Sequence, residues 1–274
     1  MKTTNEHLLL RATNGPLREI LRHWRRARGQ SQLELSLSAG VSQRHLSFIE
    51  SGRSQPSRQM VLNLAQALNM PLRETNLFLS AAGFASHYPE SDWAAQELAP
   101  VRKALERVLR QHEPWPAVVM DRHWNVLMTN TAAPRFFNHF IDLEQRKGPR
   151  NILHLMFDPQ GLRPFIVNWE MTAKSLFQRV YRECVGGVID EKTRTLLRDL
   201  ASYPEIKPNW KLSDETLQPQ DLPMLPVSFM WEGSTLNYFS MVSTLGTPQC
   251  VTAQEFRIEC LFPADEATEH FSIP

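Results

Sequence analysis

Between Leu17 and Ala82 the apolar residues recur every three or four positions, the interval that puts them on one side of a helix. Leu17, Ile20, Leu21 and Trp24 make one stripe, with Arg18, Arg22, Arg25 and Arg26 off it, so a first helix is predicted over 15–28, ended by Gly29. Leu33, Leu37 and Ala39 read as the buried side of a short second helix. Gly40 and Val41 then interrupt, and Ser42 opens a third run carrying Leu46 and Ile49. Ser57 stands before Val61, Leu64, Ala65 and Leu68, and Pro71 before Leu72, Leu77, Phe78 and Ala81. The expectation is an all-α domain of five helices over residues 1–85. Within it Gly40 supplies the positive φ of a tight turn, Val41 plugs the angle between the second and third helices, and Ser42 is placed to cap the third.

From Ala85 to Asp92 the chain turns polar, and residues 86–98 are read as a linker. Helical spacing resumes with Leu98, Val101, Leu105, Val108 and Leu109 and stops before Glu113-Pro114. The texture then changes. Ala117–Met120 and Trp124–Met128 are short β-prone runs about a turn at Asp121-Arg122, and Asn130 opens a helix through Phe137. A long helix is expected over Leu162–Val185, terminated at Gly186-Gly187, and Asp190-Glu191 begins another, its carboxylates at the positive end of the helix dipole. Met224–Glu232, Leu236–Thr244 and Phe256–Phe262 are three further strand-like runs, separated by turn signals at Gly233-Ser234 and 245–248. Residues 99–274 are therefore expected to form an α+β domain with a five-stranded antiparallel sheet, helices over one face and space for a ligand between them.

Composition and charge sharpen this division. The chain has 274 residues, 42 % hydrophobic and 22 % charged, with a net charge of +1. Residues 1–86 carry eleven Lys and Arg against five Asp and Glu, a balance of +6, which leaves −5 for the remainder. The basic half is the helical half, as expected for a surface that meets a phosphate backbone. Three cysteines without CxxC or His-rich context suggest neither a disulfide framework nor a metal site, and a reducing cytoplasm fits them. No apolar run approaches the length of a membrane span, and the N-terminal residues lack the order of a signal peptide, so no membrane partner is expected.

The exposed face of the third run, Gln43, Arg44, His45 and Ser47 behind the cap Ser42, suits major-groove base edges, because Gln pairs bidentately with adenine and Arg with guanine. Arg53, Ser54 and Arg58 follow where phosphate contacts position a domain without reading sequence, the alternative for each being a solvated surface group. SQxEL followed by AGVSQRHLSFIESGRSQPS resembles the lambda-repressor-like, xenobiotic-response-element family of helix-turn-helix DNA-binding domains. The resemblance implies that Gln32 contacts a phosphate, that Gln43, Arg44 and His45 read bases, and that Arg25 pairs with Glu50 to tie two helices together. It departs at Phe48, which stands at a base-reading position of some members and either meets a thymine methyl or packs inward.

The order of elements after Ala99, through NILHLMFDPQ and LLRDLASYPEIKPNW to Trp210, resembles the PAS-like ligand-binding domain of MmyB-like transcriptional regulators. The resemblance implies a small apolar ligand, with a fatty acid or similar acyl chain the compatible candidate and no required cofactor. Trp124, Met128, Phe136, Phe140, Met156, Phe165 and Trp169 are the candidate lining, with Asn130 or Arg135 as polar anchors. Most of these aromatic residues are needed for the core, and Asn130 is equally readable as a helix cap. His154 reads as a satisfied histidine. No nucleophile–base pair, carboxylate dyad, metal cluster or phosphate loop appears, so an enzyme is not expected. The expected function is a dimeric, sequence-specific regulator on an operator in double-stranded DNA, responsive to an apolar ligand. The alternative is a DNA-tethered dimerisation or protein-interaction module without one.

Overall fold

The computed structural model describes residues 16–185, 190–206, 224 and 226–271. The expected helix end at Gly186-Gly187 and the run to Trp210 lie outside the described residues, wholly or in part. Two compact units result. One is built on the chain up to Ser91 and takes in Pro248–Gln254; the other holds most of the chain from Asp92 on.

Among the described residues up to Ser91 the first unit has five helices: α1 Leu17–Ala27, α2 Gln32–Ser38, α3 Gln43–Ser51, α4 Arg58–Ala67 and α5 Leu72–Ala81. Their starts are written in the sequence. Ser31 caps α2 in a reciprocal capping box with Glu34, and Ser42 and Ser57 accept from the backbone N–H groups of His45 and Met60. Leu21, Leu35, Leu46, Ile49, Val61, Leu64, Leu68, Phe78 and Leu79 close a shared core around the α1 stripe. The buried side of α2 differs from expectation. Leu35 and Ala39 face inward, while Leu33 and Leu37 are 50 % and 74 % exposed. A leucine at every second position fits either helical phase, and the cap at Ser31 with the Gly40 turn (φ +67°) selects the phase that points Leu35 into the core. At the start of α5, Pro71 offers no side-chain cap. The first N–H, that of Leu72, donates instead to Oε1 of Gln254 at 2.7 Å. Gln254 ends a short helix, Val251–Gln254, whose Thr252 Oγ1 donates to the Ser91 carbonyl at 2.7 Å and whose Val251 N–H donates to that of Pro89 at 2.9 Å.

The stretch 86–98 divides between the units. Asn76 holds the backbone of His87 and Tyr88, and Arg73 pairs with Glu90; from Asp92 the chain belongs to the second unit and enters α6, Ala99–Gln111, through a 3-10 turn at Gln96–Leu98.

The second unit is the expected α+β domain. Strands β1 Ala117–Met120, β2 Val126–Thr129, β3 Val227–Trp231, β4 Ser234–Ser243 and β5 Arg257–Pro263 form one antiparallel sheet in the order β2-β1-β5-β4-β3. Helices α7 Ala132–Asn138, α8 Ile152–Phe157, α9 Trp169–Val185 and α10 Glu191–Ser202 accompany it, with a short helix at Glu266–Glu269. Glu232 and Gly233 both take positive φ, as the two-residue turn joining β3 to β4 requires.

Two boundaries move. Trp124 and Asn125 belong to the β1–β2 turn rather than to β2, because Asp121 Oδ1 accepts from the N–H groups of His123 and Asn125 and winds the chain into a side-chain-closed turn. The long helix starts at Trp169 instead of Leu162. Residues 163–165 form only a 3-10 turn, and Ile166 then lies opposite Phe229 of the edge strand β3, with the Val167 N–H donating to the Ser228 carbonyl at 2.8 Å.

Candidate nucleic-acid interface and ligand cavity

In the head, α3 buries Leu46, Ile49 and Glu50 and turns Gln43 and Arg44 outward, with His45 and Ser47 half-buried beside them. Ser42, exposed, is committed to the His45 N–H at 3.2 Å. Gly52, left-handed at φ +75°, stops the helix and turns Arg53 into solvent. Phe48 is half-buried with the Arg44 guanidinium 5.5 Å above its ring, one turn away, so it braces the base-reading candidate from below. Ser54 is half-buried; Arg58 is exposed, with Nη2 3.1 Å from His87 Nδ1.

Behind this face lies a polar knot. Glu50, 1 % exposed, receives Arg25 Nε and Nη2 on its two carboxylate oxygens at 2.6 and 3.0 Å, and Gln32 Nε2 at 2.7 Å. Burial pushes its pKa up, but the hydrogen bonds from Arg25 and Gln32 and the charges of Arg25 and Arg22 outweigh it and hold the carboxyl below its ordinary range. The expected Arg25–Glu50 tie is thus present. Gln32 joins it with one of its two amide hydrogens, a partner the sequence did not suggest.

In the second unit a cavity of about 80 Å³ lies between the sheet and α7, α8 and α9. Val118, Phe229, Glu259 and Leu261 form its floor, and Trp124, Phe137, Ile152, Leu153, Met156 and Leu176 its walls. A larger one of about 380 Å³ adjoins it, sharing Val118, Phe137 and Ile152, and reaches Arg146 and Arg150. Asn151 sets this junction: buried, it accepts at Oδ1 from Leu153 and His154 N–H to start α8, and its Nδ2 donates to the His123 carbonyl at 2.7 Å. The Trp124 backbone is held at φ +67°, an uncommon conformation for a bulky residue, and the Arg179 guanidinium lies 4.5 Å over its ring.

The description "MmyB-like transcription regulator ligand binding domain" matches residues 101–272, and a helix-turn-helix family matches 21–74. The chain belongs to the MmyB-like family. A search of curated proteins finds no match. The two domains are those of a DNA-binding transcription regulator, and the ligand-binding domain is the one that holds the paired cavities. Among the described residues no helix is long and apolar enough to cross a membrane, and no group of three potential metal ligands occurs.

Of the nine residues expected to bind ligand, Trp124 and Met156 line the smaller cavity. The others do not line either one. Met128 pairs with Val119, whose side of the sheet is opposite to that of Val118. Phe136 is enclosed by Phe137, Phe140, Phe229 and Tyr238, and Phe140 packs on Phe165 and Phe229, so these rings form the core behind the walls. Trp169 packs on Phe157 with Arg163 over its face. Asn130 spends Oδ1 on the Ala117 and Ala133 N–H groups and Nδ2 on the Trp115 carbonyl, which is the capping role. Arg135 is exposed, 3.9 Å from Glu113. His154 accepts or donates at Nδ1 with the Tyr203 hydroxyl at 2.8 Å, and burial lowers its pKa.

Sequence reasoning missed Ile152, Val118, Leu176, Glu259, Leu261, Arg146 and Arg150. The alternation Arg257-x-Glu259-x-Leu261 puts a charge and an apolar residue on the same side of β5, a signal that becomes readable only once the covered side of the sheet is known.

Proposed function

We propose that the chain is an operator-binding regulator that acts as a dimer and is controlled by a small amphipathic molecule of acyl type in the second domain. The observation that carries this reading is the pair of adjoining cavities under α7 and α8, one lined mainly by apolar side chains and the other reaching two arginines. An apolar chain gains from leaving water, and a few polar groups then orient it. Arg146 already serves the Pro149 and His154 carbonyls and Asp158, whereas Arg150 is exposed and has no ion pair among the described residues, so Arg150 is the anchor for an anionic head.

On the head, Gln43, Arg44 and His45 read base edges, with Ser42 and Ser47 at the margin of the same face. Arg53, Ser54 and Arg58 contact phosphates, and Gln32 adds its remaining amide hydrogen. A head of this type covers one half-site, so a second copy supplies the other. The ligand acts by favouring one arrangement of the paired heads, which requires that its affinity differ between arrangements.

Native mass spectrometry of the gently purified full chain, followed by denaturing extraction, tests both parts. A two-chain species carrying a lipid-like mass is expected. Protein that is monomeric, or that neither carries nor takes up any acyl compound, would overturn the corresponding part.

A further inference from the structure

The smaller cavity contains a group that a plain hydrocarbon tail does not explain. Glu259 projects from β5 on the same side as Leu261 and lines the cavity beside Val118, Trp124, Leu176 and Phe229. Its side chain is 13 % exposed. Oε1 lies 3.9 Å from Arg179 Nη1, beyond hydrogen-bond reach, and Oε2 is buried with no hydrogen-bond partner. A buried carboxylate oxygen left without a donor is costly, and such atoms are rare enough in folded proteins that each calls for a reason. A purely apolar occupant would make matters worse, since it would exclude water and still offer no proton.

We infer that the cavity takes a ligand whose apolar body carries a hydrogen-bond donor, a hydroxyl or an amine, at the end that reaches Glu259, so that Oε2 accepts from it. This rests on the ligand-binding reading above and narrows its chemistry: an acyl compound functionalised away from its carboxylate is preferred over the plain acid. The geometry divides the ligand's polar ends. An anionic head belongs at Arg150, in the larger cavity, and would be repelled by Glu259; a donor belongs at Glu259, in the smaller one. The shared wall of Val118, Phe137 and Ile152 meets the apolar stretch between them.

In a cavity without an acceptor an added hydroxyl weakens binding, because it loses its water and gains nothing. Here the sign reverses, and the reversal is the test. Full-length protein stripped of bound lipid is titrated calorimetrically with two series of matched length, unsubstituted fatty acids and ω-hydroxy fatty acids, with ω-amino acids of the same lengths as a third arm. At the best-fitting length the ω-hydroxy acid should bind at least about tenfold tighter than its plain counterpart, as a hydrogen bond to a charged group provides. Glu259→Leu should invert that preference, and Glu259→Gln, which keeps the shape and one acceptor oxygen, should retain a reduced part of it. Should the plain acids bind as tightly as the ω-hydroxy acids at every length, or the preference survive in Glu259→Leu, the inference fails while the acyl-ligand reading stands. If no series binds at all, both fail.

Discussion

Both carboxylate oxygens of Glu50 are held by a single guanidinium, that of Arg25, and this bidentate pair joins the buried side of α3, the candidate reading helix, to α1. Removing Arg25 leaves the buried carboxylate with only the Gln32 amide and the more distant Arg22 charge to offset its burial. Arg25→Ala should therefore destabilise the head by about 3 kcal/mol, more than an exposed arginine would, and replacing both residues by apolar ones should recover part of that loss. The pH dependence has a definite sign. Since the folded pKa of Glu50 lies below its unfolded value, its contribution is fully present above the ordinary carboxylate range and disappears as pH falls through the depressed value. Urea unfolding of wild type and Glu50→Gln across the acid range should give different slopes; identical slopes would remove Glu50 from the acid sensitivity of the head.

Arg44 and Arg53 are both exposed arginines at opposite ends of α3, yet their substitutions should be distinguishable. Arg44→Ala should cost about 1–3 kcal/mol on the preferred operator and relax preference at one base pair per half-site. A phosphate contact is blind to sequence, so Arg53→Ala should weaken all DNAs alike and shallow the salt dependence by about one counterion. Fluorescence anisotropy over a salt series, with operator and random duplexes, separates the two. Equal weakening of both duplexes by Arg44→Ala would mean that α3 does not read bases through this residue.

Asp190 caps α10 by accepting from the Thr193 N–H at 2.8 Å. Burial alone would raise its pKa, but the Thr193 backbone and side-chain bonds and the charges of Arg122 and His123 bring it down to about 2. The stability it supplies is present above the unfolded value and is lost as pH falls towards that of the folded state. Carbon-detected NMR titration of the carboxyl should locate the midpoint near this value. Asp190→Ala should cost about 1 kcal/mol near neutrality, with the deficit shrinking in strong acid to that of a neutral cap; Asp190→Asn should keep most of the cap and lose the pH dependence.

Acyl chains should raise the melting temperature of the full-length protein in a concentration-dependent way, because a ligand that binds only the folded form stabilises it by mass action. Each buried methylene contributes about 0.8 kcal/mol, so two more carbons should tighten binding about tenfold until the space is filled. Ile152 stands in the wall common to both cavities. Ile152→Phe should therefore shorten the best-fitting chain. An unchanged length optimum would show that the chain does not pass this wall.

How far the sequence discloses this protein depends on the kind of signal. Caps are chemical and local: Ser31, Ser42, Ser57 and Asp190 stand where a side-chain oxygen must meet an unpaired N–H, and all four do so. The five strands and the Gly233 turn are legible for a similar reason, since β-branched and aromatic runs bounded by turn residues have few alternatives. Periodicity is weaker where it is degenerate. Leu33, Leu35 and Leu37 satisfy two helical phases, and only tertiary contacts select one. The cavity was the least legible part. Phe136, Phe140 and Trp124 are all large and buried, and whether a ring faces empty space or another ring is decided by residues far away in sequence, such as Phe229 and Leu261.

The bond from Leu72 to Gln254 joins residues 182 positions apart. On a ribosome, α5 emerges long before the residue that caps it, and the same delay applies to the contacts that Val251 and Thr252 make with Pro89 and Ser91. The DNA-binding half of this protein thus reaches its final form only after translation has passed position 254. A nascent chain stalled earlier, or a gene fragment cut at Ser91, would carry an intact α3 on a head whose last helix starts without its cap.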